Sequence, residues 1–452
     1  MEKQTILRRA LTTGAILTAL AGMKAQAQSQ DALLDKLVTK GVLTQDEAKE
    51  LRDEADDGFR KSYQAKSGMP DFVNSLKFNG DFRGRYESFF NDQAAVRHRW
   101  RYRLRFGAVA SLHDNFEVGF RLGSGDATAA GGLLDPISNN QTLDNNGAKK
   151  GIYIDLAYAK WTPIQSSSWN WGMTAGKMEN PFVTSDLLFD NDYTPEGVAS
   201  QLKYTINAQH AFRLIGGGFV IDESRTTSRD PFLIAGQARF DSIWDEKQKW
   251  QSTAGLGVFT LTHDENLLNG NLPNINVGNS RTATGRPSEG FNPLFADASV
   301  TYTLDEFPFY AGKFPIKVGG DYLHNPAAQN YKDGYSMGIT FGKSGKRKTW
   351  DISYRFRELQ ANAWFEELVD SDSGAFYKSV SGADFLSTSG QATANTFYAG
   401  TNVRGHVVKA SYSPWDTFTL GLTYFDMDAI VESPIGSGSH IGRLQVDAIW
   451  KF

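Results

Sequence analysis

Five arginines stand at alternate positions in one short stretch, so an extended chain would carry them all on one side. They are Arg97, Arg99, Arg101, Arg103 and Arg105. A guanidinium group keeps its charge and offers a planar fork of donors that matches a carboxylate or a phosphate. Rows of Arg or Lys line pores that favour anions. The spacing therefore predicts a row of fixed positive charge that attracts small anions.

From Arg99 onward the residues that alternate with these arginines are aromatic or apolar, which indicates a strand with two unlike faces. They are Trp100, Tyr102, Leu104 and Phe106, and a period of two is the period of a β-strand. The segment 78–87 alternates in the same way. Such long alternating strands exceed what most soluble sheets use and are typical of transmembrane β-barrels.

The same period continues along the chain and predicts about sixteen strands, an even number, as closed bacterial barrels require. They lie near residues 76–89, 97–112, 115–125, 151–162, 168–179, 197–206, 209–221, 231–243, 247–263, 293–305, 308–324, 331–343, 347–360, 403–413, 416–429 and 440–452. Short turns alternate with longer loops, of which the longest are 126–150, 264–292 and 361–402. This alternation predicts a closed antiparallel all-β barrel with its long loops outside the cell.

Composition agrees with a barrel and excludes other classes. The 452 residues have a mean hydropathy of -0.41, 13% aromatic residues, 44 Gly and a net charge of -4. The sequence has no apolar run of about 18 residues, so it predicts no bundle of membrane-spanning helices. It has no cysteine, which excludes disulfides, thiolate metal sites and cysteine nucleophiles.

The N-terminal part divides into two segments before the barrel at 71–452. Residues 1–27 combine a basic start, a short apolar stretch and an Ala-Gln-Ala end, which predicts a secretory signal peptide. Residues 28–70 predict a periplasmic helical hairpin and linker, in which Thr44 and Glu47 form a capping box for the second helix. The hairpin is interpreted as a spacer, with contact to the cell wall or an assembly partner as the alternative.

If the apolar face meets lipid, the arginines point into the lumen, because an Arg facing lipid at mid-depth costs roughly 2–4 kcal/mol. The predicted pore-lining residues are Arg83, Arg85, Arg97, Arg99, Arg101, Arg103, Arg105, Arg121, Arg355, Arg357 and Arg443, with Arg213 and Arg239 on the same parity. Two interpretations stay open. Either the arginines attract anions, or acids such as Asp81, Glu87 and Glu117 neutralise them and set up a transverse field across a general pore.

The loop between residues 177 and 195 is predicted to fold into the lumen and constrict it. Its predicted constriction residues are Lys177, Asp186, Asp190 and Asp192, and the three aspartates would then face the arginines. A surface loop is the alternative.

Three stretches resemble the porin families of Gram-negative outer membranes, and in particular the phosphate-selective porins of the O/P type. They are residues 33–48, similar to a hairpin that precedes the barrel in these families; residues 176–182 with 190–197, similar to the loop after the fifth strand; and Trp450-Lys451-Phe452. The resemblance implies a homotrimer in the outer membrane and recognition of the terminal Phe452 by the barrel-assembly machinery.

No catalytic group, metal site, cofactor or nucleic-acid partner is predicted, and no nucleophile elbow is found. The oxygen-rich segments 135–140 and 144–147 carry the one alternative weighed, a Ca²⁺ site. The sequence therefore predicts a passive outer-membrane diffusion channel for small polar solutes that favours anions. The alternatives are a barrel enzyme of lipase or protease type and a plugged anchor that binds the cell wall.

Overall fold

A computed structural model describes residues 44, 48, 51, 69–91, 94–126, 135–223, 227–267, 278–280, 286–374, 376–377, 397–398, 400–431 and 440–452. The chain divides into two compact units, Met1–Asn74 and Ser75–Phe452. In the first unit the amide of Ala48 donates to the carbonyl of Thr44 at 3.0 Å, as in the first turn of the predicted second helix. The signal peptide and the rest of the hairpin lie outside the described residues.

The second unit is built from sixteen long strands. They are β1 Val73–Asn91, β2 Ala94–Leu112, β3 Phe116–Gly123, β4 Tyr153–Gln165, β5 Trp169–Lys177, β6 Glu196–Thr205, β7 His210–Val220, β8 Phe232–Ile243, β9 Trp250–Thr262, β10 Leu294–Leu304, β11 Phe314–His324, β12 Asp333–Gly342, β13 Thr349–Leu359, β14 Val403–Trp415, β15 Phe418–Ala429 and β16 His440–Lys451. Two-residue strands at Gln141–Thr142, Phe376–Tyr377 and Phe397–Tyr398 supplement them.

Each long strand pairs with the next, and the last pairs with the first, so the sheet closes. β1 and β16 run antiparallel from the pair Asp81 and Lys451 to the pair Asn91 and Ile441. Beyond that ladder, the amide of Gly80 donates to the carbonyl of Phe452 at 2.9 Å. The predicted fold class, a closed antiparallel barrel of sixteen strands, is confirmed.

The connections form two unlike rims. The short-turn rim holds the connections that follow the even-numbered strands, from 113–115 to 416–417, and the long-loop rim holds those that follow the odd-numbered strands. One predicted boundary was wrong. β11 was expected from about residue 308 but begins at Phe314, because Pro308 lacks an amide donor and Phe309 and Gly312 have φ of +59° and +86°.

The two faces of the barrel differ as the period predicts. Outward positions carry large apolar side chains that stay exposed, such as Phe78, Leu256 and Met337. Tryptophan and other aromatic rings gather on the outward face at the short-turn rim, where Trp169 contacts Tyr204 with ring centroids 4.3 Å apart. An apolar outer band with an aromatic girdle is the surface of a barrel that lies in lipid.

None of the helices among the described residues is long and apolar enough to cross a membrane.

Candidate functional site in the barrel lumen

A first loop segment, residues 178–195, lies inside the barrel and touches well-separated parts of its wall. Val183 donates its amide to Gln237 on β8 at 3.0 Å, and Asp192 pairs with Arg103 on β2 at 3.0 Å. At the middle of the segment, Leu187 and Leu188 are fully buried. The segment therefore crosses the lumen between β2 and β8.

A second segment, residues 360–374, also enters the lumen, and the sequence reading did not foresee it. Its Trp364 is fully buried and meets Phe189 of the first segment edge-on, with ring centroids 6.0 Å apart. The amide of Asp190 donates to the carbonyl of Leu368 at 2.8 Å, so the backbones of the two segments are joined. A signal was present, because the apolar run around Trp364 is unusual in a loop assigned to the outside.

These two segments share one apolar core with the inward side chains of the surrounding strands. Phe219, Phe259 and Leu359 of the wall are at most 1% exposed and belong to the same cluster as Leu187 and Trp364. Nearby, Asn279 donates through Nδ2 to the carbonyl of Trp364 at 2.7 Å. The half of the lumen nearest the long-loop rim is thus filled by packed protein.

Most of the predicted arginines reach the lumen but are already paired. Glu87 is the centre of one network, and its fully buried carboxylate accepts from Arg443 at 2.6 Å and from Arg99. Arg85 donates hydrogen bonds to both carboxylate oxygens of Asp447, at 2.7 and 2.8 Å. Buried charges persist only when they are paired and hydrogen-bonded, so this network holds β1, β2 and β16 together.

The inner segments supply the remaining acids. Asp192 lies between Arg103 and Arg105, at 3.0 and 3.2 Å, and both arginines also bond to Asp81 on β1. The first segment thereby depends on the arginine row for its position.

Further pairs join other strands of the wall to the inner segments. Asp186 bonds to Arg355 at 2.5 Å and lies 3.4 Å from Arg357, and Arg357 also bonds to Asp370 at 3.0 Å. Arg443 with Asp372 at 2.8 Å, and Arg121 with Glu179, also join the wall to a segment. The pairs within the wall are Arg239 with Asp297 at 2.6 Å, Arg213 with Asp241 at 2.8 Å, and Arg121 with Asp155.

Three further predicted residues lie at other places in the barrel. Arg97 is exposed near the long-loop end of β2. Lys177 bonds at the barrel wall to Glu196 at 2.9 Å and to the carbonyl of Thr194 at 3.0 Å. Arg83 donates to the amide oxygen of Asn140 at 2.6 Å, and no described carboxylate lies within 4.0 Å of it.

The surroundings lower the pKa of one loop acid and raise the pKa of two others. Burial alone would raise the pKa of Asp192, but the guanidinium groups of Arg103 and Arg83 hold it below its ordinary value. Burial and the carboxylate of Asp370 raise the pKa of Asp190 well above its ordinary value. Burial and Asp372 likewise raise the pKa of Asp370, although Arg357 opposes the shift.

The described residues enclose two open cavities in the lumen. One, of about 420 Å³, runs from Arg83 and the loop acids to Lys409 and Lys451, and the other, of about 440 Å³, contains Lys203 and Lys317. All four lysines are exposed, and no described carboxylate lies within 4.0 Å of any of them. The sequence reading missed these lysines, although they have the same inward parity as the arginines.

The oxygen-rich loop weighed as a Ca²⁺ site is engaged in contacts within the protein. Asp135 accepts the amide of Ile137 at 3.0 Å, and Asp144 pairs with Lys150. In the part of the chain that the structure describes, no group of three or more His, Cys, Asp or Glu side chains is placed to hold a metal ion.

A closed barrel of sixteen strands, with an apolar outer face, a polar lumen and a loop folded inward, defines a class of protein. The chain is a porin-like β-barrel of the outer membrane.

Comparison with known proteins agrees with this class. Residues 89–271 match the model of a family described as "Putative porin", which confirms the predicted resemblance to porins. No curated protein matches the sequence.

Several solved porins are similar to the barrel. The high-pH structure of Pseudomonas putida OprB has 10% identity and a TM-score of 0.49, over 88% of this chain and 97% of that one. Salmonella typhi OmpF in complex with daunomycin has 9% identity and a TM-score of 0.45, over 83% and 97%. A porin of Rhodopseudomonas blastica has 10% identity and a TM-score of 0.39, over 84% and 100%.

Proposed function

We propose that this barrel is a passive diffusion channel for small polar solutes and that it favours anions. The observation that carries the proposal is the set of four exposed lysines, Lys203, Lys317, Lys409 and Lys451, which line the two lumen cavities without a described carboxylate within 4.0 Å. Fixed cationic groups raise the local concentration of anions and lower that of cations. Diffusion through the channel needs no energy source, cofactor or covalent step.

In this proposal the arginine row has a different task from the lysines. Arg99, Arg103 and Arg443 each bond to a carboxylate, so each pair has little net charge to offer a passing ion. The row instead positions the inner segments and lines one side of the narrow section. Its contribution to anion preference is therefore smaller than that of the lysines.

The test is the reversal potential of the purified protein in a planar bilayer under a KCl gradient. We expect an anion-selective wild type and a marked shift toward zero when the four lysines are changed together to Gln. Changing Arg213 and its partner Asp241 together to Gln and Asn removes an ion pair without changing the net charge of the lumen, and should shift it less. Because free charges are screened by salt, with a Debye length of about 10 Å at 0.1 M and 3 Å at 1 M, the lysine effect should shrink at high salt.

Two results would contradict the proposal. A cation-selective wild type, or an unchanged potential in the Lys→Gln variant, would remove the lysines as the selective element. A silent bilayer with folded protein would favour the second candidate, a plugged structural anchor. That candidate is supported by the apolar packing of the inner segments around Trp364 and Leu187.

A further inference from the structure

Besides the exposed Lys409 and Lys451, two further groups of opposite charge that line the 420 Å³ cavity lack a charged partner among the described residues. The first is Arg83 on β1, whose side chain is 9% exposed and lines the cavity. Its Nη2 donates to the Oδ1 atom of Asn140 at 2.6 Å, and its buried Nε has no hydrogen-bond acceptor. An amide oxygen does not neutralise a guanidinium, so Arg83 keeps a full positive charge at the cavity wall.

The second group is the carboxyl of Asp190 in the first inner segment. Its Oδ1 accepts the amide of Asp192 at 2.7 Å, and no described cationic group lies within 4.0 Å of it. The charged groups that face it are the carboxylates of Asp370, Asp192 and Asp372. Asp190 is therefore surrounded by carboxylates and has no described cation as a partner.

The other charged groups around this cavity make these two exceptions informative. Arg85 is bonded to Asp447, and Arg103 to Asp81 and Asp192. Among the loop acids, Asp186 and Asp370 bond to arginines on β13, and Asp372 bonds to Arg443. A lumen that pairs nearly all its buried charges leaves one cation and one carboxyl in the same cavity.

We propose that this cavity binds zwitterionic solutes of the α-amino acid class, with the carboxylate of the solute on Arg83 and its ammonium on Asp190. A simple anion would satisfy Arg83 and leave Asp190 without a cation, and a simple amine would do the reverse. A bidentate Arg–carboxylate contact gives orientation as well as affinity. The volume of about 420 Å³ accommodates a small amino acid with some water.

This inference rests on the proposed channel, and the experiment separates the two. Proteoliposomes containing the full chain are placed in L-glutamine or in L-arabinose, two solutes with no net charge, and their swelling rates are compared. The quantity measured is the ratio of the glutamine rate to the arabinose rate. The same preparations are tested for KCl conductance in a bilayer.

We expect the ratio to fall about fivefold in Arg83→Gln and about fivefold in Asp190→Asn, the loss of one partly exposed charge contact in each case. Arg83→Lys should retain part of the preference because it keeps the charge. The matched controls Arg347→Gln and Asp144→Asn, which change exposed groups in connections between strands, should leave the ratio unchanged. Heat-dependent mobility on a gel checks that each variant barrel is folded.

If wild type conducts KCl but the ratio is the same in wild type, Arg83→Gln and Asp190→Asn, the zwitterion site is wrong and the channel stands. If folded wild type neither conducts KCl nor swells in either solute, both the channel and the site are wrong.

Discussion

The two halves of the lumen both carry cationic side chains but use them differently. In the half nearest the long-loop rim, Arg357 and Arg443 are buried, Arg99 is half-buried, and all three bond to carboxylates. Toward the short-turn rim, Lys203 and Lys317 are exposed in an open cavity with no described carboxylate within 4.0 Å. The first half resembles the interior of a globular protein, and the second resembles a solvated surface.

This difference shows that the sign of a side chain does not decide its role in a pore. A buried guanidinium can be retained only with a partner, and the pair then behaves as a structural unit with little net field. An exposed ammonium keeps its field, which acts on passing ions within a Debye length. Mutations in the two halves should therefore change different properties, namely stability in one and selectivity in the other.

The largest expected effect comes from removing the central acid of the arginine network. Glu87→Gln keeps the side-chain shape but leaves Arg99, Arg101 and Arg443 without their shared carboxylate. Breaking a buried ion pair by removing one partner costs about 3–5 kcal/mol. We expect the barrel to unfold at a clearly lower urea concentration than wild type, with unfolding monitored by intrinsic tryptophan fluorescence.

The control for this variant lies in the other half of the lumen. Lys317→Gln also removes one lumen charge, but from an exposed side chain, and should change the free energy of unfolding by no more than about 0.5 kcal/mol. Equal losses in the two variants would contradict the division of the lumen into a structural half and an electrostatic half.

The next effect concerns the apolar packing that closes the structural half. Trp364→Ala removes a fully buried indole that contacts Phe189 and Phe259. Deleting a buried Trp side chain costs about 3–5 kcal/mol, and this loss weakens the packing that holds the second inner segment in the lumen. We expect the second inner segment to leave the lumen in a large fraction of molecules, with a higher single-channel conductance.

A tryptophan on the outer surface gives the matched control. Trp244 is 63% exposed at the short-turn rim, so Trp244→Ala should leave the conductance unchanged. The same conductance in wild type and Trp364→Ala would mean that the second inner segment does not obstruct the passage.

The sequence predicted the barrel well because one physical rule governs all its strands. A strand in lipid must alternate apolar and polar residues, and this period locates every strand to within a few residues. Errors arose where local chemistry interrupts the period, as at Pro308 before β11. Pairing partners could not be read in this way, because Glu87 and Arg443 are 356 positions apart and meet only when the barrel closes.

The site was predicted less completely for the same reason. Parity alone placed the arginines in the lumen, and it would have placed Lys203 and Lys409 there too. It could not tell which charges are neutralised, since the partners Asp186, Asp370 and Asp372 come from loops. Loop segments have no period, and their positions depend on the packing of side chains such as Trp364.

The smallest expected effect is a pH dependence of the inner segments. Asp190 and Asp370 have raised pKa values in the folded loops, so the folded loops hold these protons more tightly than the unpacked loops do. In their protonated form these two acids stabilise the packed loops. This stabilisation is fully present below the ordinary aspartate pKa of about 4 and is lost as the pH rises toward the raised values. Asp186, Asp192 and Asp372 have lowered pKa values, so they stabilise the packed loops in their ionised form. That stabilisation is lost only as the pH falls below about 4.

Between about pH 4.5 and neutral pH, the packed state of the inner segments should therefore weaken as the pH rises, and the single-channel conductance should increase. The groups that oppose ionisation of Asp190 are Asp370, Asp192 and Asp372, so Asp190→Asn should remove most of the dependence. Asp144→Asn, on an exposed loop carboxylate, should preserve it. Two results would contradict this prediction: a conductance that falls as the pH rises, or the same pH dependence in Asp190→Asn as in wild type. Either result would show that ionisation of Asp190 does not loosen the segments. The structural half of the lumen would then stay closed through its apolar core alone.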